Sequence, residues 1–562
     1  MAERPATQGT LHKTRNKLHP ASNAANGCFE TTRRAPILHA LRQTMKTAPQ
    51  IGKTVLNGCD HFANITRLKS FRRKFRAAPK VGLRPPRDLC SPPASKPVTV
   101  PFSPAPSLAP PPAPTAPRWE IWAVRLLLAL YLVVQFAFVR REGYVGQDFG
   151  THTKIMEEIR ASNGTKWFSM DGTNRPGIYW LASLCKTYTN DKYTYELHSQ
   201  FWIVLGAFAL GLLHRAMLAT IRAPELRVAA MAIVTLLPAH LIAGVVYAGD
   251  IAVVLPFSVA AWTLSRSLAT TERGTALRYA AYAGLSLSIG NFLKVSFLML
   301  PVAALVAIVL AWRWGRIRVA QAGLTALLAV VAPLLVGGAL QLRNHRELAK
   351  AEERHAFWWD GGGEMSWRSL LWFRPADRAV LNAPIYWDKN PEDQIVLVQP
   401  GVHSYPALLH LGVFSDVLNY APKGGYPAAT PRPEPQRSYA ILAVRGGVIW
   451  SVLAVVSAFA LASVLLASLI KPALAPATGL AVWALHGAAW FLPIMLILPY
   501  LRSAYTWGYW LSRLVVPGLW VAGFASAWFL DRVLPARTRW WFRGVLAVAL
   551  LQAYWQFRSL WF

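Results

Sequence analysis

The sequence is poor in charged residues, and in acidic residues above all. Only 15% of its 562 residues are Asp, Glu, Lys or Arg, compared with about 25% in ordinary soluble domains. Hydrophobic residues make up 54% of the chain, and the mean hydropathy is +0.29. A chain this apolar cannot bury its hydrophobic residues in one water-soluble core, so a soluble enzyme, a secreted disulfide scaffold and a fibrous protein are excluded.

Cysteines and nucleotide-binding motifs are also scarce. The chain has four cysteines, Cys28, Cys59, Cys90 and Cys185, and no C-x-x-C pair, which argues against a disulfide framework and a zinc site. It has no G-x-G-x-x-G, Walker or other Gly-rich phosphate loop in the parts predicted to be cytoplasmic. ATP-driven transport and soluble nucleotide-sugar chemistry therefore lose support.

Positive charge is concentrated at the N-terminus. The net charge is +32, and residues 1–118 hold 20 Lys and Arg against 4 Asp and Glu. Residues 1–84 are predicted to be a basic disordered tail, and residues 85–118, which contain 13 prolines, an extended linker. Such a tail can bind anionic lipid or nucleic acid, but we expect a cytoplasmic extension without a nucleic-acid partner. A transit peptide or an over-extended translation start would give the same composition.

Long apolar runs begin at Trp119 and continue to the end of the chain. They predict an all-α polytopic membrane protein with about 11 transmembrane helices. The predicted spans are 119–139, 195–214, 226–246, 250–268, 275–291, 295–312, 319–341, 439–468, 474–499, 508–530 and 541–559.

Basic residues in alternate loops predict the topology. By the positive-inside rule these loops and the N-terminal tail are cytoplasmic. They contain Arg215, Arg222, Arg227, Arg266, Arg273, Arg278, Arg313, Arg316, Arg318, Lys471, Arg532, Arg537, Arg539 and Arg543. Two long segments fall on the opposite, extracytoplasmic side, so the chain is divided into a membrane module over 119–342 with a first outer loop at 140–194, a long loop over 343–438, and C-terminal membrane helices over 439–562.

The first outer segment contains a carboxylate and a histidine four residues apart. Asp148 lies between Gly146 and Gly150, and His152 would share a helical face with it. A carboxylate beside a second titratable group suits general-base work, although an aspartate in this position also caps helices. Further along, Arg175 stands at the first turn of a second apolar stretch, where it either holds an anionic group or extends to lipid headgroups.

Three further ionisable residues lie near the predicted outer surface. Asp250 occupies the turn between two spans. The helix dipole favours an acidic residue there, but an ionisable residue near a membrane is also a candidate functional residue. Lys294 and Arg502 are cations among apolar neighbours. A lipid-linked phosphate needs such cations near the interface, and simple interfacial anchoring is the alternative.

The second outer segment is rich in aromatic, acidic and histidine residues, the types that grip sugars by stacking and hydrogen bonding. Aromatic-rich loops also lie on membranes for purely structural reasons. Because long ordered loops are more often functional than idle, its candidate substrate-binding residues are His403, Tyr405, His410 and Asp416.

Four motifs occur in an order that resembles a known family. They are GQDFGTH after the first span, NRPGIYWLASL, YAGDIAVVLPFSVAAWTLSRS and GLSLSIGNFLKVSFLMLPVAAL. Over residues 119–350 the chain resembles the GT-C superfamily of membrane glycosyltransferases. In the character of its motifs it is most similar to the bacterial relatives of protein O-mannosyltransferases and of lipid A aminoarabinose transferases. Many members carry paired acidic residues in the first loop, whereas this chain has Asp148 alone, followed by Glu157 and Glu158 further on.

The resemblance implies an inverting transfer of a sugar from a polyprenyl-phosphate donor to a lipid, glycan or protein acceptor on the extracytoplasmic side. Asp148 would be the general base, His152 would orient it or touch the acceptor, and Asp250 would help bind substrate. Lys294, Arg502 and then Arg175 would bind the donor phosphate. No cofactor is certain, a divalent cation (Mg or Mn) stays open, and no metal ligand is assigned. The amino-acid composition and the resemblance to bacterial members of the family favour a bacterial inner membrane as the location of the protein.

Two other classes of function remain as alternatives. A transporter or flippase of a lipid-linked saccharide would prefer ionisable residues inside the spans and discontinuous helices; His240 and Arg445 are the candidates for that role. A non-catalytic scaffold that recruits partners through its basic tail should tolerate the loss of Asp148.

Overall fold

The computed structural model describes the greater part of the apolar region of the chain. The described residues are 116–142, 159, 161–162, 177–179, 191–245, 250–350, 387–389, 395–397, 405–415, 435–497, 514–535 and 539–560. Residue contacts divide the chain into two units, Met1–Ser107 and Leu108–Phe562, and every described residue belongs to the second.

Helices dominate the first part of the second unit. In chain order they are α1 (Arg118–Glu142), α2 (Asp191–Leu218), α3 (Pro224–Thr235), α4 (Pro238–Val245), α5 (Val254–Ala269), α6 (Arg273–Leu293), α7 (Leu300–Arg313), α8 (Val319–Ala326) and α9 (Ala332–Lys350). A 3-10 turn over Val295–Met299 precedes α7, and a π-helical turn over Leu327–Val331 joins α8 to α9.

The later part of the second unit is also mainly helical, and it contains one short pair of strands. Two three-residue strands, β1 (Trp387–Lys389) and β2 (Ile395–Leu397), pair antiparallel with Asp388 opposite Val396. The helices are α10 (Tyr405–Phe414), α11 (Gln436–Ile470), α12 (Thr478–Ile497), α13 (Val516–Val533) and α14 (Arg539–Leu560). A 3-10 turn over Pro472–Leu474 lies between α11 and α12.

Apart from the short β1–β2 pair, the expected all-helical membrane protein is confirmed in the described residues, since helix lies within every one of the predicted spans. Five stretches of the described residues are long and apolar enough to cross a bilayer alone. They are Arg118–Val139, Ser199–Leu218, Val295–Arg313, Val319–Arg343 and Gln436–Ile470. A bent pair of helices, Pro224–Thr235 and Pro238–Gly244, would be a sixth. Several other helices are shorter than the ~20 residues that a span needs, so the number eleven stays a prediction.

One continuous apolar core joins the helices. α5 packs against α6, α2 and α12, and α11 packs against α14 and α13. α1 lies against α2 and α3, while α3 also contacts α13 and α14. The largest fully buried side chains include Trp483, Trp490 and Trp520. Many apolar side chains on the other faces are exposed, as expected where helices face lipid rather than water.

Small residues permit the closest approach of two helices. A Cβ added to Gly284 of α6 would lie 2.1 Å from the carbonyl oxygen of Leu328 in the π-helical turn. Backbone cannot give way as a side chain can, so this crossing requires glycine.

The range 343–438, predicted as an outer loop, contains structure of its own. α9 continues to Lys350, and α10 packs against α11 and α4. A close contact between Gly447 and the Phe414 ring fixes the crossing of α10 and α11, since a Cβ at Gly447 would lie 2.5 Å from that ring.

Charged residues tie together the ends of helices on the side predicted to be cytoplasmic. The Arg227 guanidinium donates to both carboxylate oxygens of Glu120, at 2.6 and 2.5 Å, and His214 Nε2 lies 2.8 Å from the same carboxylate. Asp531 accepts hydrogen bonds from the backbone N–H groups of Arg222 and Ala223 at the start of α3. These contacts join α1, α2, α3 and α13.

Candidate functional site

An ion pair joins two of the residues that the sequence singles out separately. Asp250 lies just before α5, and Lys294 directly follows α6. α5 and α6 are neighbours joined by a short connection, so the start of one lies beside the end of the other. The Lys294 ammonium therefore donates to Asp250 Oδ1 across 44 positions of sequence.

The two partners differ in burial. The side chain of Asp250 is 0% exposed, while that of Lys294 retains 14%. Burying an ion pair costs several kcal/mol per ion before the attraction is counted, so this arrangement needs both charges. The aspartate orients the lysine from inside the protein, and the lysine alone presents any surface to a ligand.

Lys294 is held by its backbone as well. Its own N–H closes the last turn of α6 on Gly290 O at 2.8 Å, and its carbonyl accepts from Phe297 N at 3.3 Å. The residue itself is extended, with φ −152° and ψ 140°. It thus forms a break between α6 and the following 3-10 turn, with its side chain directed to the start of α5.

An apolar groove with a volume of about 540 Å³ reaches this end of α6. It runs between α2, α5 and α6. Its lining residues are Gly177, Phe201, Trp202, Leu205, Leu255, Pro256, Val259, Thr263, Tyr282, Leu285, Ser286, Ile289, Phe292 and Leu293. Leu293, at one limit of the groove, is the residue before Lys294, so the groove reaches the chain segment that carries this cation.

The hydroxyl groups in the lining do not make the groove polar. Thr263 Oγ1 donates to Val259 O at 2.6 Å within α5, and Ser286 Oγ donates to Pro256 O at 2.8 Å from α6 to α5. These two hydroxyls are engaged with backbone, and the third hydroxyl-bearing residue of the lining, Tyr282, is 55% exposed. The groove therefore suits a hydrocarbon chain better than a sugar.

Three described residues of the NRPGIYW stretch, Gly177, Ile178 and Tyr179, also lie in this region. A Cβ at Gly177 would lie 2.5 Å from the Phe292 ring and 2.7 Å from its carbonyl oxygen. Ile178 and Tyr179 are buried, with 2% and 1% exposure. The segment two residues after Arg175 is thus packed against the end of α6, next to Lys294.

His410, a predicted sugar-binding residue, makes two hydrogen bonds within the protein. Its Nε2 donates to Val444 O at 2.9 Å, and its Nδ1 lies 2.8 Å from Ser451 Oγ, which donates to it in the neutral Nε2–H form. Burial lowers the pKa of His410 and the bond to Val444 raises it, with the lowering effect larger. The ring therefore anchors α10 to α11 as a neutral imidazole.

Of the remaining predicted site residues, most lie outside the residues that the structure describes. Tyr405 is the first residue of α10. Outside the described residues lie Asp148, His152, Arg175, His403, Asp416 and Arg502. In the described residues no group of three or more His, Cys, Asp or Glu side chains could hold a metal ion. Glu157 and Glu158, like Asp148, lie outside them, so the divalent cation stays untested.

Sequence reasoning did not identify the groove. Phe201, Tyr282 and Ile289 lie on three different turns of two helices and look like ordinary lipid-facing residues in the sequence. It also assigned Asp250 to substrate and Lys294 to phosphate without linking them. The only feature of the sequence that could have indicated this link is the opposite charge of the two residues, since ionisable groups of opposite sign near a membrane favour pairing.

Comparison with solved structures gives matches of low similarity. One match is the Saccharomyces cerevisiae protein O-mannosyltransferase Pmt1-Pmt2 complex bound to the sugar donor, at 13% identity and a TM-score of 0.33; it covers 48% of this chain, which spans 37% of that one. Another is ArnT from Cupriavidus metallidurans in the apo state, at 15% identity and a TM-score of 0.31, covering 74% of this chain and 78% of that one.

No protein-family model matches the sequence, and no curated protein matches it significantly.

Proposed function

We propose that the chain is a glycosyltransferase of the GT-C type. It moves a sugar from a polyprenyl-phosphate donor to a lipid, glycan or protein acceptor on the extracytoplasmic side of a bacterial inner membrane, with the N-terminal tail in the cytoplasm. One observation carries the proposal: an apolar groove of about 540 Å³ extends to Leu293, the residue directly before Lys294. A hydrocarbon tail joined to a phosphate matches both features, because the tail suits the apolar groove and the phosphate suits the cation.

The groove supports a lipid donor because its wall is apolar and lies among membrane helices. A prenyl chain along α2, α5 and α6 would place its phosphate end near the end of α6. Lys294 retains an exposed fraction there and donates charge-assisted hydrogen bonds, which are stronger than neutral ones. Arg175 and Arg502 are proposed as further cations for the same phosphate.

Asp250 is better suited to positioning Lys294 than to touching the sugar. Its side chain is fully buried and bound to the lysine. A ligand phosphate would share the ammonium with Asp250, so the lysine stays aligned whether or not the donor is present. His403, Tyr405 and Asp416 remain proposed sugar contacts, whereas His410 would have to release an internal hydrogen bond to become one.

In the proposed reaction Asp148 takes the proton of an acceptor hydroxyl, with His152 orienting the carboxylate. The acceptor oxygen bonds to the anomeric carbon as the bond from that carbon to the phosphate oxygen breaks. The electron pair leaves with the polyprenyl phosphate, whose charge Lys294 stabilises. One such displacement inverts the configuration at the anomeric carbon.

A transporter of a lipid-linked saccharide is the second candidate, favoured by the bend between α3 and α4. Broken helices beside buried polar residues are typical of transporter sites, and His240 lies at this break with 0% exposure. Arg445, the other candidate for that role, is on the exposed side of α11.

Sugar transfer in proteoliposomes separates the two functions. We expect the purified chain to move label from a polyprenyl-phosphate-sugar pool into acceptor and to release polyprenyl phosphate in equal amount. The Asp148→Asn variant should lose transfer, while Glu272→Gln, which alters an exposed carboxylate at the predicted cytoplasmic surface, should keep it. Movement of intact donor across the bilayer without transfer would instead support the transporter.

A further inference from the structure

The bend between α3 and α4 brings polar side chains together inside the apolar core. The two helices meet at 52°, and Pro238 has no N–H to continue the α3 ladder. His240 Nδ1 bridges the bend to Val234 O at 3.1 Å. The His240 ring stacks on Tyr131 of α1, with centroids 4.9 Å apart, and meets the edge of Trp520 of α13 at 5.0 Å.

Four polar atoms of this cluster have no hydrogen-bond partner in the part of the chain that the structure describes. They are Tyr131 Oη, Gln135 Oε1, His240 Nε2 and Trp520 Nε1. Tyr131, Gln135, His240 and Trp520 are each 0% exposed. Buried polar atoms in proteins are nearly always satisfied by protein or by ordered water, because each one left without a partner destabilises the folded state.

The chemistry of these atoms is complementary. Because His240 Nδ1 lies against a carbonyl oxygen, it carries the proton, and Nε2 of the neutral ring is an acceptor. Gln135 Oε1 is a second acceptor, since the amide nitrogen of that side chain points to His240 O at 3.5 Å. The Tyr131 hydroxyl and the Trp520 indole N–H are donors. Two donors and two acceptors match the hydrogen-bonding capacity of water.

We propose that this cluster is an internal hydration site, in which ordered water bridges α1, the α3–α4 bend and α13. The Tyr131 and Trp520 rings, which carry the two donors, both pack on the His240 ring, which carries one of the acceptors. Membrane helices tolerate a break where waters and neighbouring side chains satisfy the polar groups it frees. Water binding at this cluster does not depend on the proposed transferase activity.

The proposed hydration site lies near the chain segment that carries Asp250, one partner of the ion pair with Lys294. Tyr131 Oη and the Ile251 side chain both lie within 4 Å of the position that a Gly206 Cβ would take, and Ile251 follows Asp250. α4, which begins at the bend, leads to the same aspartate five residues after it ends. The proposed hydration site therefore lies on the helix that precedes Asp250 in the chain, and one of its residues, Tyr131, lies near the neighbour of that aspartate.

Hydroxyl-radical labelling by X-ray radiolysis tests the proposal on the wild-type protein in nanodiscs. Radicals form from water beside a side chain, including ordered internal water, and labelled residues are read by mass spectrometry. Trp490 is the matched control, because it is equally buried at 0% but its indole N–H donates to Leu514 O at 2.8 Å. We expect Trp520 to be labelled roughly tenfold faster than Trp490. Equal labelling of the two would overturn the proposal.

The Tyr131→Phe variant tests whether the water is shared. It removes one hydroxyl and keeps the ring that stacks on His240. Labelling of Trp520 should fall several-fold towards the Trp490 level, with unchanged helical content by circular dichroism. If Trp520 stays labelled at the wild-type rate in this variant, its water is not bound by Tyr131, and the bridging site is refuted.

Discussion

Replacing Lys294 with methionine separates the structural role of the ion pair from its proposed role in binding phosphate. Methionine keeps an unbranched apolar stem and removes the ammonium. Asp250 then loses its cationic partner while its side chain stays fully buried. Removing one partner of a buried pair costs about 3–5 kcal/mol. We therefore expect Lys294→Met to lower the melting temperature strongly, whereas Lys471→Met at an exposed position should leave it unchanged.

The double variant Asp250→Asn/Lys294→Met provides the decisive comparison. It removes both charges, so the penalty for an uncompensated carboxylate disappears, and much of the lost stability should return. A double-mutant cycle measured by thermal unfolding in detergent gives the coupling energy directly. Additive losses in the two single variants, with no recovery in the double variant, would show that the residues are not coupled and would refute the structural reasoning.

Activity in the recovered double variant then tests the phosphate role. A hydrogen bond to a charged group contributes about 1.5–3 kcal/mol, and every ~1.4 kcal/mol is a factor of ten. Sugar transfer per folded molecule should fall by roughly 10- to 100-fold. Full activity in a stable double variant would mean that Lys294 serves only the fold.

Three further predictions concern packing and the groove. Glu120→Gln should destabilise the protein by about 3–5 kcal/mol in thermal unfolding, because it leaves the buried guanidinium of Arg227 without its carboxylate; unchanged stability would contradict the buried pair. Gly284→Ala should cost about 1–3 kcal/mol, whereas Gly323→Ala, with nothing within 4 Å of its Cβ position, should be neutral or stabilising; equal effects would refute the close crossing. Val259→Trp should fill part of the groove and raise KM for the lipid donor at unchanged melting temperature; an unchanged KM would remove the groove from donor binding.

Hydropathy predicted where helices lie because every buried or lipid-facing segment must satisfy its backbone internally. It could not show how the helices are interrupted. The range 226–246 reads as one span, but the chain bends at Leu236 and Leu237 before Pro238. The proline was a visible signal. The size of the bend depends on His240 and on contacts with α1, which no local pattern encodes.

The candidate site was predictable as residues but not as an arrangement. Asp250 and Lys294 stood out because ionisable groups are rare near a membrane. Their pairing depends on α5 and α6 lying side by side, and the groove depends on α2 lying against α5. Likewise, His410 had the right chemistry for a sugar contact, but its hydrogen bonds to Val444 and Ser451 follow from the packing of α10 on α11.

Photo-crosslinking of a donor analogue tests the central claim most directly. The probe is a polyprenyl-phosphate sugar with a diazirine in the first isoprene units, and the adducts are mapped by mass spectrometry. A tail bound in the groove predicts adducts on Phe201, Tyr282 and Ile289 that excess unlabelled donor suppresses. Adducts confined to the exposed face of α11, at residues such as Ile449 and Phe459, would show general contact with lipid and contradict the account.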